Sequence, residues 1–475
     1  MSQTAGQIES TTSPRRTRRF WWLKWIILCL VIALCPLLAI HYLDNAAADR
    51  ALVEAVAEAD RLDPGWRLED IEAARRKIPD EKNGALVVLS AHGKMPAKWI
   101  PLVDKRLPFI EERLPFPPPV RLDDEFTQEL RKDLEPVAGA IAEAQRLVDF
   151  PEGRFAITYP TYLLHFLPKH QQQVRTIGFV LLLDGWLRLQ EGKIEQAWKS
   201  SRAIVNTARS LGDEPLLLSQ MTRVALRRMA ATLLERILAQ GAISKGLLTE
   251  MQTALTEEAS EPLLMRGLRG QRAAMYSTFL HWEKEGISWD ELPRGRSSFF
   301  NEGRVWIAGK SAKLRQGNSW SLNFHTMLIE ELKKPGVSQY QALKNLGKIV
   351  EEEDRKLIGW LLFMSVPLKM EKRSCNNLHT TIAALAAERF RLRNNRWPKS
   401  LDELVKAGLL KEIPIDLMDG KPLRFRRTID GLVIYSVGAD GTYRGDALDD
   451  FATFAPGKER PEFRLWDVNR RGVSK

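Results

Sequence analysis

The chain has 475 residues, 44% of them hydrophobic and 28% charged, with a formal net charge of +11. That apolar share is enough for a sizeable core and excludes an intrinsically disordered chain, while only three cysteines exclude a disulfide-stapled scaffold. Arg15, Arg16, Arg18, Arg19 and Lys24 against Glu9 put +4 within the first 24 residues; the remaining +7 is thinly spread, with no basic stripe interleaved with aromatics, so no nucleic acid is expected as a partner.

Between Phe20 and Ile40 the only charged residue is Lys24, and the arginine cluster lies just before it. The run is long enough to cross a bilayer as a helix, and the arginines should hold its N-terminal end in the cytoplasm. The expected layout is a cytoplasmic tail at 1–19, a transmembrane anchor at 20–43, and everything after Tyr42 on the far, periplasmic side. A cleaved secretory signal is the rival reading, with Ala46-Ala47-Ala48 as its site. Against it stand an apolar core from Trp25 to Ile40 and interfacial aromatics at Phe20, Trp21, Trp22, Trp25 and Tyr42. Leu357 to Leu368 and Phe179 to Leu189 are too short or too interrupted for a second span and read as buried helices. Cys29 and Cys35 fall in the span, which leaves Cys375 alone outside it, read as a buried and inert thiol.

Past the membrane, residues 44–107 read as a stalk and membrane-proximal helices. Leu52, Val56, Ala59 and Leu62 recur at helical spacing from Asn45 to Leu62, and Asp63-Pro64-Gly65 stops that helix. A short helix is expected from Leu68 to Ile78. Residues 108–121, with Pro117 to Pro119 in a row, read as a stiff proline-rich linker.

Residues 122–375 read as a helical domain with breaks at Pro151, Pro160, Pro168, Gly192, Gly212-Asp213, Gly241 and Pro262. One helix is expected from Pro215 to Gln240, and Ser244 is placed to cap the next. Gly185, Gly192, Ile194 and Ala197 resemble the small and apolar positions of a tetratricopeptide hairpin, but Arg188 and Ser201 stand where bulky apolar residues belong. No second copy follows, so an irregular helical bundle is the favoured fold. Pro293 to Gly317 reads as a surface loop, and helices resume at Leu322 to Leu332 and from Val337 to about Lys369.

Residues 376–475 change character. Leu378, Ile382, Leu385, Arg389 and Leu392 mark an amphipathic helix, and Ser400 with Glu403 forms a capping-box pattern before a short second one. After Gly420 the period drops to two, with Ile429-Asp430-Gly431 as a hairpin turn. Val433, Tyr435 and Val437 are expected to face the helix, with Leu385 and Phe390 as their partners. The expected fold class is mainly α: one N-terminal transmembrane helix, an irregular helical bundle, and a small C-terminal α+β module with an antiparallel sheet.

The order helix, Trp397-Pro398, Asp416 to Arg426, Gly431 to Asp446 resembles the C-terminal half of type II secretion major pseudopilins, over about 70 residues. The family's serine-x-glycine-x-aspartate-glycine pattern is matched by Ser436, Gly438, Asp440 and Gly441. The resemblance implies a helix leading into a short sheet, followed by an aspartate-rich, calcium-binding loop. Asp440, Asp446, Asp449 and Asp450 are the candidate calcium ligands, since a hard cation wants several oxygens. The alternative is a turn in which Asp440-Gly441 serves backbone geometry alone. The span lacks the family's glutamate, and the tail has Asp416-Leu417-Met418-Asp419-Gly420 in place of aspartate-proline-tryptophan-glycine. The tail's fold is therefore carried over, and the filament role is not.

Catalytic signatures are sparse. Arg304 to Ser311 ends like a phosphate-binding loop but puts Arg304, Trp306 and Ile307 where backbone must wrap phosphate. The seven histidines form no H-E-x-x-H, and there is no G-x-S-x-G elbow. Carboxylate pairs from distant positions leave no local spacing to read. The expected function is a membrane-anchored extracytoplasmic helical scaffold or protein-interaction protein of the bacterial envelope, with a protein partner of unknown identity. The alternatives are an envelope hydrolase acting on polysaccharide or peptide, and a secretion or pseudopilus component.

Overall fold

Helix α1 runs unbroken from Trp21 to Leu62 in the computed structural model. The structure describes residues 21–99, 117–160, 163, 166–286, 312–354, 365–438 and 462–472. Among them α1 is the one helix long and apolar enough to cross a membrane. Residues 22–44 are exposed throughout, and Pro36 sits inside the helix without ending it. The arginine cluster at 15–19 lies outside the described residues.

The second half of α1, expected as a stalk, is docked along its length on α11 (Ala312–Lys333), which runs parallel to it. Small residues make the approach possible: Ala48, Ala55 and Ala59 are buried, the last two against Leu322 and Trp66. Arg315 fixes the lower end, with Nε 2.6 Å from Asp49 Oδ1, Nη2 donating to Asn45 Oδ1 at 2.5 Å and Nη1 to Glu283 Oε1 at 2.8 Å. At the upper end Lys333 Nζ donates to Leu62 O at 3.2 Å, and Asp63 accepts from Arg269 at 2.8 Å and from Arg272. The helix stops at the Asp63-Pro64-Gly65 break, where Gly65 takes φ +74°.

The remaining helices in chain order are α2 (Leu68–Ala74), α3 (Gly84–Gly93), α4 (Asp124–Leu134), α5 (Ala138–Gln145), α6 (Lys169–Gln190), α7 (Ile194–Arg209), α8 (Leu217–Gln240), α9 (Lys245–Ala259), α10 (Leu263–Glu285), α12 (Gln339–Asp354), α13 (Ser365–Asn394) and α14 (Leu401–Lys406). α6 and α7 form a hairpin turned at Gly192, and α8 packs on both. Gly178 and Gly185, two turns apart on α6, lie under Leu226 and Leu233, two turns apart on α8, so each leucine fills the space a side chain would occupy. Gly270 of α10 sits closer still: a Cβ there would lie 1.7 Å from Pro215 O. Gly270→Ala should therefore force α10 off the Pro215 turn at a cost of about 1–3 kcal/mol, read as a lowered Tm.

Ser244 Oγ accepts from Leu247 N at 3.4 Å, as a cap should. Ser400 makes no side-chain cap; Glu403 instead accepts from Lys399 N at 2.8 Å and from Arg396, whose guanidinium draws the carboxylate away from the box geometry. Residues 312–317, expected in a loop, open α11. Of the proline-rich linker, residues 108–116 lie outside the described set, while Pro118 and Pro119 are buried and Pro118 O accepts from Gln240 of α8 at 2.9 Å. That end of the linker is a packed segment.

The sheet is antiparallel in the order β1 (Arg424–Thr428), β2 (Gly431–Tyr435), β3 (Glu462–Trp466). The β1–β2 turn falls at Ile429-Asp430, within the expected Ile429-Asp430-Gly431, but Gly431 is the first residue of β2, paired with Thr428, and is pressed so close to β3 that a Cβ would lie 1.9 Å from Leu465 O. The facing of β2 is the reverse of that expected. Leu432 and Ile434, with Phe463 and Leu465, join Leu385 and Phe390 in the main core, while Val433 and Tyr435 form a small cluster of their own. Arg426 and Arg464 are the register partners of Val433 on that second face. The outer edge of β3 is also covered: Arg464 N donates to Glu235 Oε1 of α8 at 3.0 Å. One core thus runs from Ala85 to Leu465, and the expected boundary at 375/376 falls inside α13.

Candidate functional site

Among the described residues a groove of about 830 Å3 lies between α2, α10 and the segment around Tyr159. Leu68, Ala73, Pro160, Leu163 and Leu280 give it an apolar lining, and His281, Lys284 and Glu285 stand at one end. Leu68 and Leu163 are held by Ala273 and Ala274 of α10, which sets the spacing of the walls.

A polar network braces one wall. Glu72 of α2 accepts from Tyr159 Oη at 2.9 Å, Arg154 Nη2 at 3.0 Å and Arg75 Nη1 at 3.0 Å. Arg75 is buried and reaches on to Asp213 Oδ1 at 3.1 Å. Burial, with the Glu72 carboxylate beside it, pushes the Tyr159 phenol well above its ordinary range, so it stays a neutral donor. Burial opposes ionisation of Asp213, but the Arg76 backbone N–H and the Arg75 guanidinium outweigh it and hold the carboxyl below its usual value. Behind this wall His170 Nε2 lies 2.8 Å from Glu214 Oε2, stacked on Phe155 with ring centroids 4.3 Å apart. Ser219 Oγ donates to the other oxygen of Glu214. The carboxylate therefore sits between serine and histidine. A hydrolytic triad needs the histidine in the middle, so this arrangement braces α6 against α8 and does not activate Ser219.

Two further buried polar centres tie elements together. Glu258 of α9 binds Arg223 and Arg227 of α8 and Arg209 of α7. Asp416 accepts from Asn376 Nδ2, Ser436 Oγ, Met418 N, Val437 N and Arg424 Nη1 at 2.6–2.9 Å. Cys375 is buried with its Sγ donating to Glu371 Oε1 at 3.5 Å, and burial pushes the thiol well above its ordinary range, which makes it unreactive. His325 is fully buried and pushed down to about 4 by burial, so it is neutral.

Asp440, Asp446, Asp449 and Asp450 lie outside the described residues, as do Asp440-Gly441 of the turn alternative and Arg304 to Ser311. Of the residues that carried the family resemblance, Ser436 and Asp416 meet in the buried aspartate knot just described. Among the described residues no group of three or more His, Cys, Asp or Glu is arranged to hold a metal ion. Sequence reasoning did not find the groove, because its walls come from three segments far apart in the chain. The one local signal, alternation in Phe155 to Pro160, does not say what faces it. The chain matches no protein-family model, no curated protein and no solved structure.

Proposed function

We propose that this is a single-pass membrane protein with its N-terminus in the cytoplasm, whose helical body stands on the extracytoplasmic face as a scaffold for another envelope protein. The observation that carries it is the continuity of α1. One helix contains the exposed apolar stretch at 22–43 and, within one turn of it, residues committed to the body, beginning with Asn45 and Ala48. Residues 22–43 provide about 33 Å of helix, the thickness of a hydrocarbon core.

The same continuity speaks against a cleaved signal. Ala46-Ala47-Ala48 is mid-helix, and Ala48 is 1% exposed, so cleavage would require unwinding a packed turn. The polar groups along the groove wall are engaged with one another, which favours a structural or binding role over hydrolysis.

An export-dependent reporter fused after Lys475 should be active and a cytoplasm-dependent one silent, and mass spectrometry of the purified protein should find residues 21–48 still attached. A mature N-terminus at Asp49 would defeat the anchor. Detergent extraction followed by affinity purification should recover a stoichiometric envelope protein; recovery of the chain alone at native abundance would defeat the scaffold.

A further inference from the structure

The groove's position relative to the span carries more than its lining does. α10 runs toward the bilayer end of the body. Its Arg269 and Arg272 meet Asp63 at the top of α1, and its Glu283 meets Arg315, which in turn holds Asn45 and Asp49 at the bottom. Asn45 follows the last exposed apolar residue of the span, Leu43, by two positions. The groove residues of α10, from Ser277 to Glu285, therefore occupy about the first 12 Å of the body above the membrane surface.

The chemistry is graded along that axis. Nearest the bilayer are Lys284 and Glu285, an exposed ion pair with Lys284 Nζ 3.2 Å from Glu285 Oε1. Further from it the lining turns apolar, with Leu68, Leu163 and Leu280, the last 40% exposed although large and apolar. Glu72, Arg154 and Tyr159 of the inner wall are spent on one another, which leaves Glu69 and Ser277 as the other polar groups of the lining away from the rim, against five apolar residues. A polar ligand would lose most of its hydration there for little in return, whereas an alkyl chain loses nothing. The volume, about 830 Å3, lies within the range of small-molecule sites.

We propose that this groove holds an acyl chain of a bilayer phospholipid, drawn up from the facing leaflet, with the headgroup left at the rim beside Lys284 and Glu285. The inference rests on the anchored reading of α1, since it is the anchor that sets the groove at the membrane surface. The zwitterionic rim is matched to a headgroup carrying both a phosphate and an ammonium, and the apolar interior to the chain beneath it.

The test uses the full-length protein reconstituted in phosphatidylethanolamine and phosphatidylglycerol vesicles containing a trace of phospholipid with a photoactivatable group at the chain terminus. Irradiation and peptide mapping should place adducts on 68–73 and 277–285 as well as on 22–43. Ser277→Trp, which fills the groove, should abolish the first two sets and leave the third unchanged. Leu280→Glu, which charges it, should do the same and serves as the second variant should Ser277→Trp lose its helical circular dichroism. Adducts confined to 22–43, or groove adducts that persist in both variants, overturn the proposal. Groove adducts without any on 22–43 would retain the lipid site and overturn the anchor instead, so the two claims fail separately.

Discussion

Glu258→Ala should destabilise the protein by about 3–5 kcal/mol, because it strands buried cations. Glu258 Oε1 accepts from Arg223 Nε and Arg227 Nε at 2.7 Å each, and Oε2 from Arg223 Nη2 at 2.6 Å and Arg209 Nε at 3.0 Å. Arg223 and Arg227 are buried, so neither can turn to water once the carboxylate is gone. Glu258→Gln keeps an acceptor and should lose less. The pH dependence follows the same geometry. Burial alone would raise the carboxyl, but Arg223, Arg227 and Arg209 outweigh it and hold Glu258 far below its ordinary 4.5. A depressed folded value means the stabilisation is whole above pH 4.5 and drains away as the pH falls below it, because the unfolded chain takes up the proton first. Denaturant unfolding at neutral pH and at roughly pH 3 should show the wild type losing stability between them and Glu258→Ala losing less. Equal acid sensitivity in both would refute the assignment.

Asp416→Ala should cost about as much, roughly 3–5 kcal/mol, for a different reason: it orphans several buried donors at once. Its carboxylate joins α13 through Asn376, β1 through Arg424 and the end of β2 through Ser436 and Val437 N. The loss should not stay in the tail. Leu432, Ile434, Phe463 and Leu465 share one core with helices α6, α7 and α8, so the sheet and the body should come apart together. Hydrogen exchange should quicken on the amides of α6 and α8 as well as on β2. Quickening restricted to residues after 376 would show that the tail is an independent unit.

Those two centres were not legible in the sequence, and the reason is general. Periodicity reports which side of an element is apolar but not what that side meets. Along α1 this sufficed: Leu52, Val56, Ala59 and Leu62 gave the docked stripe, and Asp63-Pro64-Gly65 gave its end, both from local geometry. Ser244 and the Ile429-Asp430 turn were readable for the same reason. β2 was misjudged because alternation picks a face only when the other face is wet, and all five of its residues are buried. β3 went unread because Glu462 to Trp466 is separated from its partner by a long segment and not by a tight hairpin turn that would tie the two together. Glu258 and Asp416 look like ordinary surface acids in the sequence; the arginines of Glu258 arrive from other helices, and Asp416 is enclosed by Asn376 of α13, Arg424 of β1 and Ser436 past β2, so only the packed chain shows that they are interior. The groove was hidden in the same way, since Glu72, Arg154 and Tyr159 belong to one wall only after α2 has folded against the segment around Tyr159.

With α1 anchored as proposed above, the junction at Asn45 would contain no hinge: the helix leaving the lipid would be the helix that enters the body, where Arg315 and Asp63 clamp it at both ends of the docked stretch. Such a junction acts as a lever arm. Where the span tilts by about 10° to match a thinner or thicker bilayer, the body must lean with it. Over the roughly 27 Å from Asn45 to Leu62, that lean carries the top of α1 sideways by about 5 Å. Bilayer thickness would thus set the angle at which the far surface of the body is presented, without any change in its internal packing.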